Sequence, residues 1–122
     1  MPRVVHFEIP ADNPTRAAGF YRTVFGWEIK KWEGMDYWLA ATGKKEEMGI
    51  DGAIMGRDTA ATVVNTIGVS SIDEYREKVK RNGGTLVTEK SEIPGVGWFC
   101  YCKDTEGNLF GILEPAPGSM GQ

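Results

Sequence analysis

One order of elements, strand–helix–strand–strand–strand, is written into this chain twice, and nothing else in the sequence constrains the fold so tightly. Val4–Ile9 is short, apolar and β-branched, and it alternates as a strand does. Pro10 is expected to end it. Asp12-Asn13-Pro14 reads as a helix start, an Asx cap followed by proline in the first turn. Ala17, Phe20, Tyr21, Val24 and Phe25 then recur at helical spacing, and Gly26 supplies the stop. Trp27–Lys31, Tyr37–Ala41 and Ile50–Met55 read as three further strands.

The order then begins again. Val63–Val69 is predicted as a strand. Ser71 caps a helix and Glu74, three residues on, completes a capping box. Ile72, Tyr75 and Val79 form its apolar stripe, and Asn82-Gly83-Gly84 ends it. Thr85–Glu89 follows as a strand, and Trp98–Lys103 with Asn108–Glu114 forms a hairpin across Asp104-Thr105-Glu106-Gly107. The helix-ending glycines Gly26 and Gly83 stand 57 residues apart, and Gly52 and Gly111, each late in the last strand of its half, stand 59 apart. Near-constant spacing of equivalent punctuation marks an internal repeat. The tail from Pro115 is rich in Pro and Gly and is expected to be loose.

Composition narrows the function classes. A formal charge of −3 offers no electrostatic footprint for nucleic acid. No stretch approaches the ~20 apolar residues of a membrane span, and the first residues lack the apolar core and cleavage site of a signal peptide. The expectation is a soluble, cytoplasmic protein with no nucleic-acid or membrane partner. Cys100 and Cys102 lie two apart, on one face of a strand, at or beyond the Cα limit for an unstrained disulfide. They read as free thiols.

The run His6-Phe7-Glu8-Ile9-Pro10-Ala11-Asp12-Asn13-Pro14, with Ala17-Ala18-Gly19-Phe20-Tyr21 and Val24-Phe25-Gly26-Trp27, closely resembles the first half of glyoxalase/bleomycin-resistance proteins of the vicinal oxygen chelate superfamily. Asn82-Gly83-Gly84 and Lys103-Asp104-Thr105-Glu106-Gly107-Asn108-Leu109-Phe110-Gly111 resemble the second half. The resemblance runs from Val4 to Pro115. It implies an α+β fold: two βαβββ modules, about residues 4–56 and 62–115, forming a curved mixed sheet around a cavity, with helices on the convex side. Residues 1–122 would then be a single domain with 116–122 as tail. It does not imply a reaction, because the superfamily holds isomerases, lyases, dioxygenases, epimerases and metal-free binding proteins.

Metal-dependent members place four ligands on the concave sheet, two from each half. By resemblance these positions fall on His6, near Gly52, near Val64 or Asn65, and on Gly111. Glycine and valine cannot ligate, and His6 is the chain's only histidine. Zinc and similar ions need at least three protein ligands, so no cofactor is expected, and His6 is a ligand only if a metal is present. Other donors are Glu8, Glu114, Asp51, Cys100 and Cys102.

His6 and Glu8 are neighbours on one strand face. They form either a polar pair that binds a ligand or moves a proton, or a structural pair satisfied by backbone. The cysteines are either small buried hydrophobes or reactive, soft-metal thiols. If a four-residue turn joins the last hairpin, Cys100 pairs with Gly111, and Trp98, Cys100 and Cys102 face the cavity with Leu109, Gly111 and Leu113; a one-residue slip reverses this. Gly111→Glu would then set a carboxylate beside His6. Either Tyr37 or Trp38 faces inward. The ligand-binding candidates are thus His6, Glu8, Trp98, Cys100 and Gly111, with His6 and Glu8 as candidate catalytic residues. The function expected is binding of a small organic ligand by a homodimer without the family metal centre. The alternative is a lactoylglutathione-lyase-like lyase or isomerase, or another metal-dependent enzyme of the superfamily.

Overall fold

The computed structural model describes residues 1–118. Its elements are β1 (Arg3–Ala11), α1 (Pro14–Phe25), β2 (Glu28–Lys31), β3 (Tyr37–Ala41), β4 (Gly52–Gly56), β5 (Val64–Gly68), α2 (Ile72–Arg81), β6 (Thr85–Leu86), β7 (Ser91–Ile93), β8 (Gly97–Lys103) and β9 (Leu109–Pro115). Chain contacts divide it into two compact units, one of residues 6–64 and one of residues 65 onward together with 1–5. The fold is α+β.

In the first unit the strands run in the order β2-β3-β4-β1. β1 pairs parallel with β4, and the other neighbours are antiparallel. The local signals act as their chemistry requires. The Asn13 side chain accepts from the Arg16 amide at 3.0 Å, filling one of the donors a helix start leaves open. Gly26 takes the left-handed conformation at φ 70°, and its amide closes on the Arg22 carbonyl. The Arg22 guanidinium also donates to the Ile29 carbonyl at 2.6 Å, tying the last turn of α1 to β2. One sheet face packs under α1: Ala11, Ala18, Ile29, Ala40 and Ile54 form the buried cluster, flanked by Trp27 and Trp38. Trp27 stacks on Tyr21 of the helix, ring centroids 4.7 Å apart. β1 does not stop at Pro10, which pairs with Met55; it ends one residue later, where a missing donor is tolerated.

In the second unit the order is β5-β9-β8-β6, with β7 also on β8 and β5 parallel to β9. The Ser71 hydroxyl accepts from the Glu74 amide at 3.3 Å, and the Glu114 carboxylate accepts from the Ile72 amide at 2.9 Å. A carboxylate there also meets the positive end of the helix. The predicted strand 85–89 is cut to two residues. Val87 and Thr88 both direct their amides at the Tyr101 carbonyl, two residues against one, which breaks the ladder as a bulge does. Pairing resumes in β7, an element the sequence pattern did not reveal. The core under α2 is Val69, Ile72, Cys100, Cys102 and Ile112, flanked by Ile67, Tyr75, Val79, Leu86 and Phe110. Of the tail, the Ala116 amide bonds the Val96 carbonyl at 2.8 Å; the rest of the tail expectation, residues 119–122, lies outside the described residues.

Candidate functional site

Strand alternation sorts the first unit's sheet into two faces. Phe7, Ile9, Trp38, Gly52 and Ile54 share the face under α1, as their pairing and core contacts show. His6, Glu8, Tyr37 and Ala53 therefore share the other face, the one away from α1. Tyr37, not Trp38, is the aromatic residue beside the predicted polar pair. Its hydroxyl donates to Glu8 Oε2 at 2.7 Å and lies 2.8 Å from His6 Nε2. A hydroxyl has one proton to give, and it goes to Glu8. The imidazole must then supply the proton of the second bond, which fixes His6 as the Nε2–H tautomer.

Burial shapes this group. Glu8 is 5% exposed. Removal of His6 from water holds its imidazole below the ordinary histidine value, partly offset by Glu8 and Asp51. The neutral ring therefore predominates at pH 7. The three side chains can present a hydrogen-bonding edge to a small polar group, and Glu8 can accept a proton. Tyr37 was missed as a partner because periodicity places residues on faces but does not tell which face of a hairpin is covered.

The second unit corrects the predicted hairpin register. Five residues, 104–108, form the turn: the Asp104 amide bonds the Asn108 carbonyl, and Asp104 Oδ1 accepts from the amides of Glu106 and Asn108. Lys103 therefore pairs with Leu109, Tyr101 with Gly111 and Cys100 with Ile112. Gly111 keeps the face opposite α2, now with Phe99, Tyr101 and Thr66. Cys100 and Cys102 are moved off that face into the core under α2, both 0% exposed. Trp98 follows them, pairing with Glu114 and carrying Lys90 over its ring at 4.9 Å. Cys100 and Trp98 thus lose the cavity-facing position expected of them.

Gly111 is no vacancy for a carboxylate either. A Cβ there would stand 2.6 Å from the Phe99 ring and 3.0 Å from Thr66 Oγ1. Gly52, the first-unit position assigned by resemblance, sits on the α1 face, where a Cβ would stand 2.5 Å from the Phe7 ring. Among the described residues no group of three or more His, Cys, Asp or Glu side chains is placed to hold a metal. The donor set does not fit the family's metal. Gly52 and Gly111 have no side chain to offer, and the chain's only histidine, His6, is already bonded to Tyr37. Separately, a cleft of about 650 Å³ in the first unit is lined by Ala11, Arg16, Phe20, Arg57 and Val63. No predicted site residue lines it.

Residues 3–43 match the family model described as bleomycin resistance protein-like N-terminal. The glyoxylase-named protein CFP32 of Mycobacterium tuberculosis is 30% identical over 114 residues, covering 90% of this chain and 43% of its own, as is its namesake from Mycobacterium bovis. Methylmalonyl-CoA epimerase from Mycobacterium tuberculosis superposes with a TM-score of 0.64 at 16% identity, covering 93% of this chain and 88% of that one. The Streptomyces coelicolor methylmalonyl-CoA epimerase, as a variant in complex with 2-nitronate-propionyl-CoA, gives 0.67 at 14% identity, covering 95% and 99%. This chain belongs to the vicinal oxygen chelate superfamily. As a superfamily member it spans less than half the length of the curated relatives it matches. The likeness to the epimerases is one of fold.

Proposed function

We propose that this superfamily member is a small-molecule-binding protein that works without the family metal centre. The observation that carries the reading is the Tyr37 hydroxyl bound between His6 and Glu8. The residue best suited to hold a metal is already engaged, and among the described residues no group of three or more His, Cys, Asp or Glu is placed to hold one. The group instead offers a polar anchor to an organic ligand containing a carbonyl or carboxylate. We take the two halves as one domain, the working form as a homodimer, and the compartment as the cytoplasm. No helix among the described residues is long and apolar enough to cross a membrane.

Elemental analysis and native mass spectrometry of the purified protein test this. The expected result is less than one tightly bound divalent ion per chain, with a co-purified or added organic molecule whose binding falls in Tyr37→Phe and Glu8→Gln. Stoichiometric zinc, nickel or iron, lost in His6→Ala, would overturn it. Binding lost in Arg16→Ala or Phe20→Ala instead would move the site to the 650 Å³ cleft.

A second reading, an isomerase, is favoured by the buried Glu8 carboxylate. Such a base can take a proton from carbon beside a carbonyl and return it to the same face after exchange with solvent, while Tyr37 holds the carboxylate in place; inversion needs a second acid on the opposite face. Incubation with methylmalonyl-CoA in D2O checks it. Deuterium at the exchangeable carbon, absent in Glu8→Gln, is the outcome that supports catalysis; none at that carbon tells against this substrate.

A further inference from the structure

Beneath α2 the two thiols lie side by side on β8, Sγ to Sγ 3.9 Å, both wholly buried. Their shell is apolar: Val69, Ile72 and Ile112, with Tyr75, Val79 and Leu86 around them. The Arg76 guanidinium lies alongside, its Nη1 donating to the Thr88 carbonyl at 2.9 Å. No third His, Cys, Asp or Glu donor completes a cluster among the described residues.

From this geometry we infer that Cys100 and Cys102 form a two-coordinate site for a soft monovalent metal ion of the copper(I) class. It lies on the α2 face of the second unit and rests on none of the His6–Tyr37–Glu8 reading. Ligand type decides the ion. Calcium and magnesium need six or more oxygens or ordered waters. Zinc needs four ligands, at least three from protein. A thiolate pair in an apolar pocket suits a soft ion that accepts two sulfurs. With metal–sulfur bonds of about 2.3 Å, a linear bridge spans about 4.6 Å, so the sulfurs need part by less than 1 Å. The charges also balance. Two thiols give up two protons, two metal–sulfur bonds form, and the product carries one net negative charge beside Arg76, with no electron transferred.

Entry requires local opening. Of α2 only Ile72 is fully buried, and the strand flanking it is cut to Thr85–Leu86, features of a segment that opens below the global unfolding free energy.

The test is an anaerobic titration of the folded, reduced protein with copper(I) against a chromophoric copper(I) chelator. One ion per chain is expected, with affinity at least tenfold lower in Cys100→Ala and in Cys102→Ala, and rising with pH as two protons leave. X-ray absorption should show two sulfur neighbours. Affinity unchanged in either variant, or copper uptake by wild type only after denaturation, would overturn the site. Should an alanine variant fail to fold, X-ray absorption of the wild-type copper(I) complex decides in its place, and a spectrum without two sulfur neighbours refutes the proposal.

Discussion

The two halves repeat one element order but place their chemistry on opposite sides of their sheets. In the first half the polar group His6–Tyr37–Glu8 sits on the face away from the helix, and the face under α1 is aliphatic and aromatic. In the second half the face away from the helix carries Thr66, Gly111, Phe99 and Tyr101, and the two thiols lie under α2. The backbone repeat fixes where strands run. It does not fix which face carries function, because one residue of register exchanges the faces.

The sharpest way to break this contrast is to put a carboxylate into the second half where the first half has one. Gly111→Glu must displace the Phe99 ring and bury a charge, and it should cost at least about 3 kcal/mol of stability. Denaturant titration should show the loss, and zinc should not raise the melting temperature. Gly111→Ala in a Phe99→Ala background should be milder than in wild type; equal costs in both would mean that Phe99 is not what fills the space.

Next in size is the first half's own polar group. Glu8→Ala should cost about 2 kcal/mol, since it leaves the Tyr37 hydroxyl without its acceptor, and Tyr37→Phe about 1 kcal/mol. Both follow from chemical denaturation, and a double-mutant cycle should show strong non-additivity. Additive losses would mean that the two groups act separately.

The two helix caps are equivalent in kind, so Asn13→Ala and Ser71→Ala should each cost about 1 kcal/mol. Similar values sharpen the picture of a repeated scaffold. A cost for Ser71→Ala near zero would show that Glu114 on the Ile72 amide suffices to start α2.

The smallest effect is the pH dependence from His6. Its folded value lies below the ordinary 6.5, so its contribution is intact above pH 6.5. It is lost as the pH falls from there toward the folded value, because the unfolded chain takes up the proton first. The stability gap between wild type and His6→Gln should shift over that window. His6 is the only histidine, so one imidazole resonance reports it, and Glu8→Gln should move its titration further down.

Much of this was legible in the sequence. Both helices were placed by their caps, Asn13 with Gly26 and Ser71 with Asn82, because capping is local chemistry. The β-α-β-β-β order of the first half followed from punctuation, and that of the second half did apart from β7. The pairing of His6 with Glu8 on one face followed from alternation. What failed were counts that local pattern does not encode. A four-residue turn was assumed where Asp104 organises five, and that single residue moved Cys100 and Trp98 to the other face. β7 escaped because Ser91-Glu92-Ile93 is short and lacks alternation. The rings over Gly52 and Gly111 could not be read at all, since a glycine in sequence does not say what occupies its empty side.

The Asp104 turn has a further consequence, in time. β8 and β9 are joined by five residues and pair over seven positions, so closing that loop orders the longest ladder of the second half at the least loop-closure entropy. Hairpins of this reach form in about 1–10 μs. The parallel partner β5 must return across the whole intervening segment from Val69 to Asn108, a slower search. Asp104→Ala should therefore slow refolding, while substitutions in β5 should mainly speed unfolding, so the side chain that sets the register also sets the order in which this half is built.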